Sequence, residues 1–327
     1  MSFSRYATDD SVISAETIVR GLWIGDTYTL STFYTSSTNP GGEYYIDVYD
    51  DNPSTTTASV QFDIQYGHIA GSGSFPINPN VRGYSPSRVV YGQYRNLVYG
   101  TENTNFSFDG VNTANQIYVI NISRERYKQS IQPGSLNLRL VSGSQRIQLT
   151  DDSNTTSLTR FLGENRIFYI ISGSNGNAYT AAASASYYGM MLPDLGVIIL
   201  DASGSLTPYI ASASLATGSA QNNQLKLFTS ISSGSSPSFQ LQSQEIVSSR
   251  YFFTRIKNSE FNYTTNPSII DDNGNLLYST LINNPQTFIT TVGMYNDNNE
   301  LLAVAKLSKP LVKDFTKEAL IRIKLDY

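Results

Sequence analysis

Strict period-two alternation of apolar and polar residues is the feature that most limits what this chain can fold into. In "VQFDIQY", Val60, Phe62, Ile64 and Tyr66 alternate with Gln61, Asp63 and Gln65. Successive side chains of an extended strand point to opposite faces, so this segment reads as a strand with one buried face. The pattern recurs in "LNLRLVSGSQRIQL": Leu136, Leu138 and Leu140 alternate, Ser142-Gly143-Ser144 turn the chain, and Ile147 and Leu149 return as a second arm. It recurs in "ALIRIKLD", with Ala319, Ile321, Ile323 and Leu325 on one face and Arg322, Lys324 and Asp326 on the other. The runs "QIYVINI" (116–122) and "RIFYII" (166–171) are nearly continuous, as in strands covered on both faces.

Helix signals are fewer. In "SPSRVVYGQYRNLVYG", Ser85 stands at a cap position, Pro86 at the first helical position and Gly100 at the stop. Val90, Tyr94 and Leu97 then share a face. "SRERYKQSIQPG" (123–134) reads as a short capped turn, and "SAQNNQLKLFTSI" (219–231) as a helix with Leu225, Phe228 and Ile231 aligned. The expected fold is mainly β, with β-sandwich-like sheets and a few short helices; α+β is the fallback. Three regions are expected: a β-rich region over 1–171, a loop-rich Ser/Ala/Gly insertion over 172–237, and a C-terminal β-sheet region over 238–327. In the last, "FITTVGMY" and "ELLAVAKL" form a hairpin across an Asn/Asp turn. Its face packs against 319–325, which is expected to be an interior or well-covered strand pinned at the end of the sequence.

Composition narrows the function. There is no cysteine, which excludes disulfides and thiolate metal sites. The net charge is -4 with 15% charged residues, which argues against a nucleic-acid or anionic-membrane binder. No leader peptide is expected at "MSFSRYATDDSV", and no run is long enough to span a bilayer. The 23 tyrosines suit contact surfaces, because tyrosine covers area at low entropic cost and keeps a hydrogen-bonding tip.

Catalytic signals are weak. His68 is the single histidine, and no G-x-S-x-G elbow accompanies it. The carboxylate pairs Asp9-Asp10, Asp50-Asp51, Asp151-Asp152 and Asp271-Asp272 are each adjacent in sequence and read as exposed turn residues. "DDNGN" (271–275) reads as a tight turn rather than a calcium loop, since Ile282 stands where a bidentate glutamate is needed. No enzyme activity, cofactor or metal is expected. The candidate contact residues are Arg82, Tyr84, Arg88, Tyr91, Tyr94, Arg95 and Tyr99. They interleave cations with aromatics, and in an acidic chain this reads as a protein interface rather than a nucleotide-stacking surface.

Several stretches together resemble a known family. "VQFDIQYGHIAGSGS", "SPSRVVYGQYRNLVYG", "INISRERYKQSIQPGSLNLRL", "YYGMMLPDLGVIILD", "RIKNSEFNYTTNPSI" and "TFITTVGMYNDNNELLAVAKLSKPLVKDFTKEALIRIKLDY" are similar to virion structural proteins of T-even-like contractile-tailed bacteriophages, notably those of cyanobacteria. The resemblance runs over most of the chain and is most specific in "TVGMYNDNNELLAVAKLSKP". It implies a tail or baseplate subunit, assembled in the host cytoplasm and present in symmetric copies. Its implied partners are other virion tail proteins, without nucleic acid or membrane. It implies no catalytic residues. The alternatives are a tail-fibre or neck component that binds a receptor or glycan, and a polysaccharide-degrading tail enzyme.

Overall fold

The structure, a computed structural model, describes residues 5–35, 44–74, 85–156, 159–216, 220–264 and 266–326. Among these residues the strands are β1 (Ser11–Gly21), β2 (Thr29–Leu30), β3 (Tyr34–Thr35), β4 (Tyr45–Tyr49), β5 (Val60–His68), β6 (Gln116–Ile122), β7 (Ser130–Ile131), β8 (Asn137–Ser142), β9 (Gln145–Asp151), β10 (Arg160–Leu162), β11 (Asn165–Ser174), β12 (Asn177–Ala178), β13 (Gly189–Leu192), β14 (Val197–Asp201), β15 (Phe239–Gln240), β16 (Gln242–Ile256), β17 (Thr287–Tyr295), β18 (Leu301–Lys313) and β19 (Ala319–Asp326). The helices are α1 (Pro86–Tyr99), α2 (Ala220–Ser232) and α3 (Ser279–Asn283). The class is mainly β with a few short helices, as the alternation requires. No helix among the described residues is long and apolar enough to cross a membrane. The chain divides into two compact units: unit 1 is Met1–Glu16 with Ile246–Tyr327, and unit 2 is Thr17–Glu245.

Unit 2 is built on one antiparallel sheet, in the order β2-β15-β8-β9-β11-β13-β14-β6-β5-β4-β3, with β10 and β12 paired to β11. Its central strands are apolar on both faces. From β6, Tyr118, Ile120 and Ile122 enter one core while Ile117 and Val119 enter the other; from β14, Ile198 and Leu200 part from Val197 and Ile199 in the same way. Each face is covered by a helix. α1 lies over β5 on the face of Ile117 and Val119, and α2 packs on β4, β5 and β8 on the second face, that of Tyr118, Ile120 and Ile122. The stretch 172–237, expected as loop-rich, contributes β12–β14 and α2, so part of it stands in the middle of the sheet.

The sheet is strongly curled. β15 and β5 are seven strands apart in the order, so a flat sheet would hold them roughly 34 Å apart. Yet Phe239 of β15 and Phe62 of β5 meet edge to face with ring centroids 5.4 Å apart. The sheet therefore folds over its second face, and its two ends share a core in the manner of a sandwich. Trp23 sits between them, and its indole N–H donates to the Phe239 carbonyl at 2.8 Å.

α1 begins at Pro86 and ends at Gly100, which takes the left-handed conformation (φ 66) and donates its N–H to the Asn96 carbonyl. Its inward face is Val90, Tyr91, Tyr94 and Val98; Leu97, expected to point inward, is exposed. Gly67 of β5 sets the approach, because a Cβ there would stand 3.0 Å from the Tyr91 amide nitrogen. In α2, Leu227 and Ile231 are buried, whereas Leu225 is exposed.

Unit 1 has a much smaller core. β16 pairs with β19 from Ser249↔Asp326 to Ile256↔Ala319, and β17 pairs with β18. Ile256, Ile321 and Ile323 are the buried members of the core cluster, and Ile289, Val292, Ala305, Leu307 and Leu311 of the hairpin pack against them. The expected inward face of 319–325 and its partner hairpin are thus observed. The strand is not interior, however: among the described residues β19 pairs with β16 alone and forms an edge of its sheet. At the end of β18 the side chain of Lys313 is fully buried. Its ammonium donates to the Asn258 carbonyl (3.0 Å), the Asn262 Oδ1 (2.9 Å) and the Asp314 carbonyl (2.8 Å), so all three of its donors are used.

Candidate functional site

The residues expected to form a contact on α1 have divided roles. Tyr91 and Tyr94 are buried in the core beneath the helix. The Tyr91 hydroxyl donates to the Ala114 carbonyl (2.9 Å) and accepts the Phe106 N–H (3.2 Å), which pins the 101–115 connection under α1. Tyr99 is half-buried, with its ring 5.4 Å from that of Phe106. Arg95 is also half-buried; it donates to Asn105 Oδ1 (3.2 Å) and lies 5.9 Å from the Tyr91 ring centroid. Arg88 is exposed. Arg82 and Tyr84 lie outside the described residues. Of the expected contact residues, α1 therefore leaves Arg88 and the outer parts of Arg95 and Tyr99 to a partner.

His68 is buried at the end of β5. Its Nδ1 accepts the backbone N–H groups of Ala70 (3.0 Å) and Ser72 (3.2 Å), which ties down the glycine-rich turn that follows. Burial holds the imidazole below its ordinary value. Asp151 and Asp152, expected as exposed turn residues, are buried. Asp151 accepts the Gly134 N–H at 2.8 Å and the Ser153 N–H at 3.2 Å. Asp152 accepts the Tyr169 N–H at 2.9 Å and pairs with Arg160. Tyr169 of β11, Arg160 of β10 and the turn at Gly134 reach these carboxylates from elsewhere in the chain, which is why a turn-like "DDSN" sits inside. Asp271 holds the turn expected at "DDNGN", accepting the N–H groups of Asn273 and Asn275, with Gly274 at φ 82. Among the described residues no group of three or more His, Asp or Glu side chains gathers to hold a metal ion. A cleft of about 140 Å³ in unit 2 is lined by Arg20, Arg126 and Lys128 together with Asp26, Glu125 and Glu245. Lys128 and Glu245 already pair across it at 3.1 Å.

One carboxylate pair was hidden from the sequence reading, because its members are distant in the chain. Asp47 of β4 and Asp63 of β5 are directly opposite in the sheet, and Asn121 of β6 continues the row. The visible signal was a central aspartate in each of two alternating strands, "YIDVY" and "VQFDIQY". Asp63 accepts from Gln65 Nε2 and Asn121 Nδ2, each at 2.8 Å. Burial nevertheless dominates; with Asp47 opposite, it raises the Asp63 carboxyl to about 6. Burial raises Asp47 as well. A carboxyl that holds its proton more tightly when folded stabilises the fold fully below its unfolded value near 3.8. That contribution is lost as pH rises through about 6. The loss for Asp63 is at most about 3 kcal/mol. Urea midpoints of unit 2 should fall between pH 4 and pH 7, and Asp63→Asn should flatten that fall. An unchanged pH slope in the variant would show that another group titrates.

Unit 1 carries an exposed apolar surface. On the β17–β18 hairpin, Val292↔Ala305 points to the core, so the neighbouring pairs Thr291↔Lys306 and Gly293↔Val304 point outward. Tyr295 and Leu301 lean over Gly293, where a Cβ would stand 3.0 Å from the Tyr295 ring. Phe288, Tyr295, Leu301, Leu302 and Val304 are between 40% and 62% exposed. The outward face of β16 and β19 carries the pairs Tyr251↔Lys324, Phe253↔Arg322 and Arg255↔Leu320. Its charges are largely answered locally: Arg255 pairs with Glu318 (2.9 Å), Lys324 with Asp326 (3.1 Å), and the Arg322 guanidinium lies 5.4 Å from the Tyr251 ring centroid. No protein-family model, curated protein or solved structure matches the chain.

Proposed function

We propose that this chain is a structural subunit of a bacteriophage contractile-tail baseplate, and that its work is contact with neighbouring virion proteins. The observation that carries this reading is the balance of unit 1, where three buried isoleucines face a hairpin whose other side exposes Phe288, Tyr295, Leu301, Leu302 and Val304. A monomeric surface gains nothing from such a face, whereas an assembled one covers it. The resemblance of "TVGMYNDNNELLAVAKLSKP" to tail and baseplate proteins points the same way, and that segment forms this hairpin. In this role unit 2 is a stiff body, closed by its aromatic core, and unit 1 presents strands and side chains to partners.

Electron cryo-microscopy of contractile-tailed particles carrying this chain tests the reading. Baseplate density that accommodates the curled sheet of unit 2 is the expected result. Particles with a complete baseplate that lacks this chain would refute it. Density in the fibres or neck would instead favour the receptor-binding alternative.

A further inference from the structure

We propose that Lys313 and Asn262 form an intramolecular isopeptide bond, which ties the end of β18 to the 257–286 connection within unit 1. The bond does not depend on the role proposed for the chain in a tail.

Both partners are removed from water, with Lys313 0% and Asn262 9% exposed. The Lys313 Nζ lies 2.9 Å from the Asn262 Oδ1. A carbonyl bond is about 1.23 Å long, so the carboxamide carbon is at most about 4.1 Å from the amine nitrogen. A small side-chain rotation closes this to the about 3–3.5 Å of a near-attack contact. The Asn262 side chain is held for that approach, because its Nδ2 donates to the Asn258 carbonyl at 2.6 Å. The same carbonyl accepts from Lys313 Nζ at 3.0 Å, so amine and carboxamide are gathered on one oxygen.

Charge supplies the drive. Lys313 is in no ion pair among the described residues, and the three oxygens around its ammonium belong to neutral groups. A buried ammonium without a counter-ion is a costly state, and the amide product carries no charge. The step balances without a further reagent. Nζ sheds two of its three protons, and the freed lone pair forms a bond to the Asn262 Cγ. The Cγ–Nδ2 bond breaks, and the departing nitrogen takes both protons and leaves as ammonium. Nothing is oxidised or reduced. The Asn258 carbonyl, hydrogen-bonded to both nitrogens, lies on the path between them. The reaction runs once per molecule, so held proximity suffices without a fast proton carrier.

The location suits a staple. The core of unit 1 has three buried isoleucines, and the chain has no cysteine with which to cross-link it. Small cores gain most from a covalent tie. This one joins positions 51 residues apart, and a closed loop of that kind restricts the unfolded chain as a disulfide does.

Mass spectrometry of the full chain reads the bond. Folded protein is held until its mass stops changing and is then digested with trypsin. The intact mass should fall by about 17 Da, the loss of one ammonia. The digest should contain residues 258–306 joined to 307–317, because a lysine in amide linkage is not cut at 313. Fragmentation should place the link between Asn262 and Lys313. Mass alone does not decide, since Asn273-Gly274 lies in the same peptide and an Asn-Gly pair loses ammonia by cyclising on itself. Chain kept in concentrated urea should form no link, because the bond needs the folded geometry. Lys313→Arg and Asn262→Ala should each yield no joined peptide. The wild-type digest decides whether or not these variants fold. Unlinked 258–306 and 307–313 in the wild-type digest would overturn the proposal, as would a mass loss confined to Asn273-Gly274 or a link that ends at another residue.

Discussion

Phe62→Ala is expected to destabilise unit 2 by about 3–5 kcal/mol, a large part of the 5–15 kcal/mol that holds a domain folded. Phe62 is fully buried, and its ring lies 6.0 Å from Trp23, 5.4 Å from Phe239 and 6.4 Å from Phe33. Such aromatic pairs add about 0.5–1.5 kcal/mol each beyond the area they bury. The position matters more than the sum. Phe239 stands near one end of the sheet order and Phe62 near the other, so this cluster is where the curl closes. Truncation leaves a void at the closure, and neighbouring strands cannot collapse into it without opening the sheet. Trp23 is the chain's single tryptophan and sits inside the cluster, so its fluorescence reports the event directly. The variant should show a lower urea midpoint and redder native emission. A loss below about 1 kcal/mol would show that the curl is held elsewhere.

What could be read from the sequence follows from how far each cause lies along the chain. The alternation of β5, of the β8–β9 hairpin and of β19 is local, and each of these elements stands where its pattern placed it. The near-continuous runs of β6 and β11 do bury both faces. The closure of the sheet was not legible. It depends on β2 and β15, strands of two residues each, whose pattern carries no signal and whose partners are over one hundred positions away. The phase of α1 was only half legible. Val89, Val90, Tyr91, Tyr94, Leu97, Val98 and Tyr99 leave no face free of apolar residues. The choice of Tyr91 and Val98 over Leu97 is made by the bare backbone of Gly67 beneath the helix. Tyr91 and Tyr94, which looked like interface anchors, are core for the same reason. The pairing of Asp47 with Asp63 and the burial of Asp151 are likewise matters of register between strands, which composition does not encode. The hairpin face is legible in part, since "FITTVGMY" and "ELLAVAKL" are apolar at positions of both parities.

Removing the chain from Ala319 onward is expected to unfold unit 1. β19 supplies two of its three buried isoleucines, Ile321 and Ile323, and the whole pairing edge of β16 from Ser249 to Ile256. Each buried isoleucine contributes about 2–5 kcal/mol against truncation to alanine. A core this small has no surplus to absorb both losses. Single substitutions separate packing from the mere presence of a strand. Ile323→Ala should cost about 2–4 kcal/mol. Leu320→Ser, on the opposite face of the same strand and 66% exposed, should stay within about 0.5 kcal/mol of the parent. The contrast is the alternation of "ALIRIKLD" expressed as energy: neighbouring residues differ because their side chains point to opposite faces of one strand. Limited proteolysis within 257–286 reads unit 1, and Trp23 fluorescence reads unit 2, because each unit has its own core. Ile323→Ala should speed cleavage while leaving the Trp23 transition in place. Equal costs at residues 320 and 323 would mean that β19 is held by its backbone pairing with β16 rather than by the hairpin beneath it.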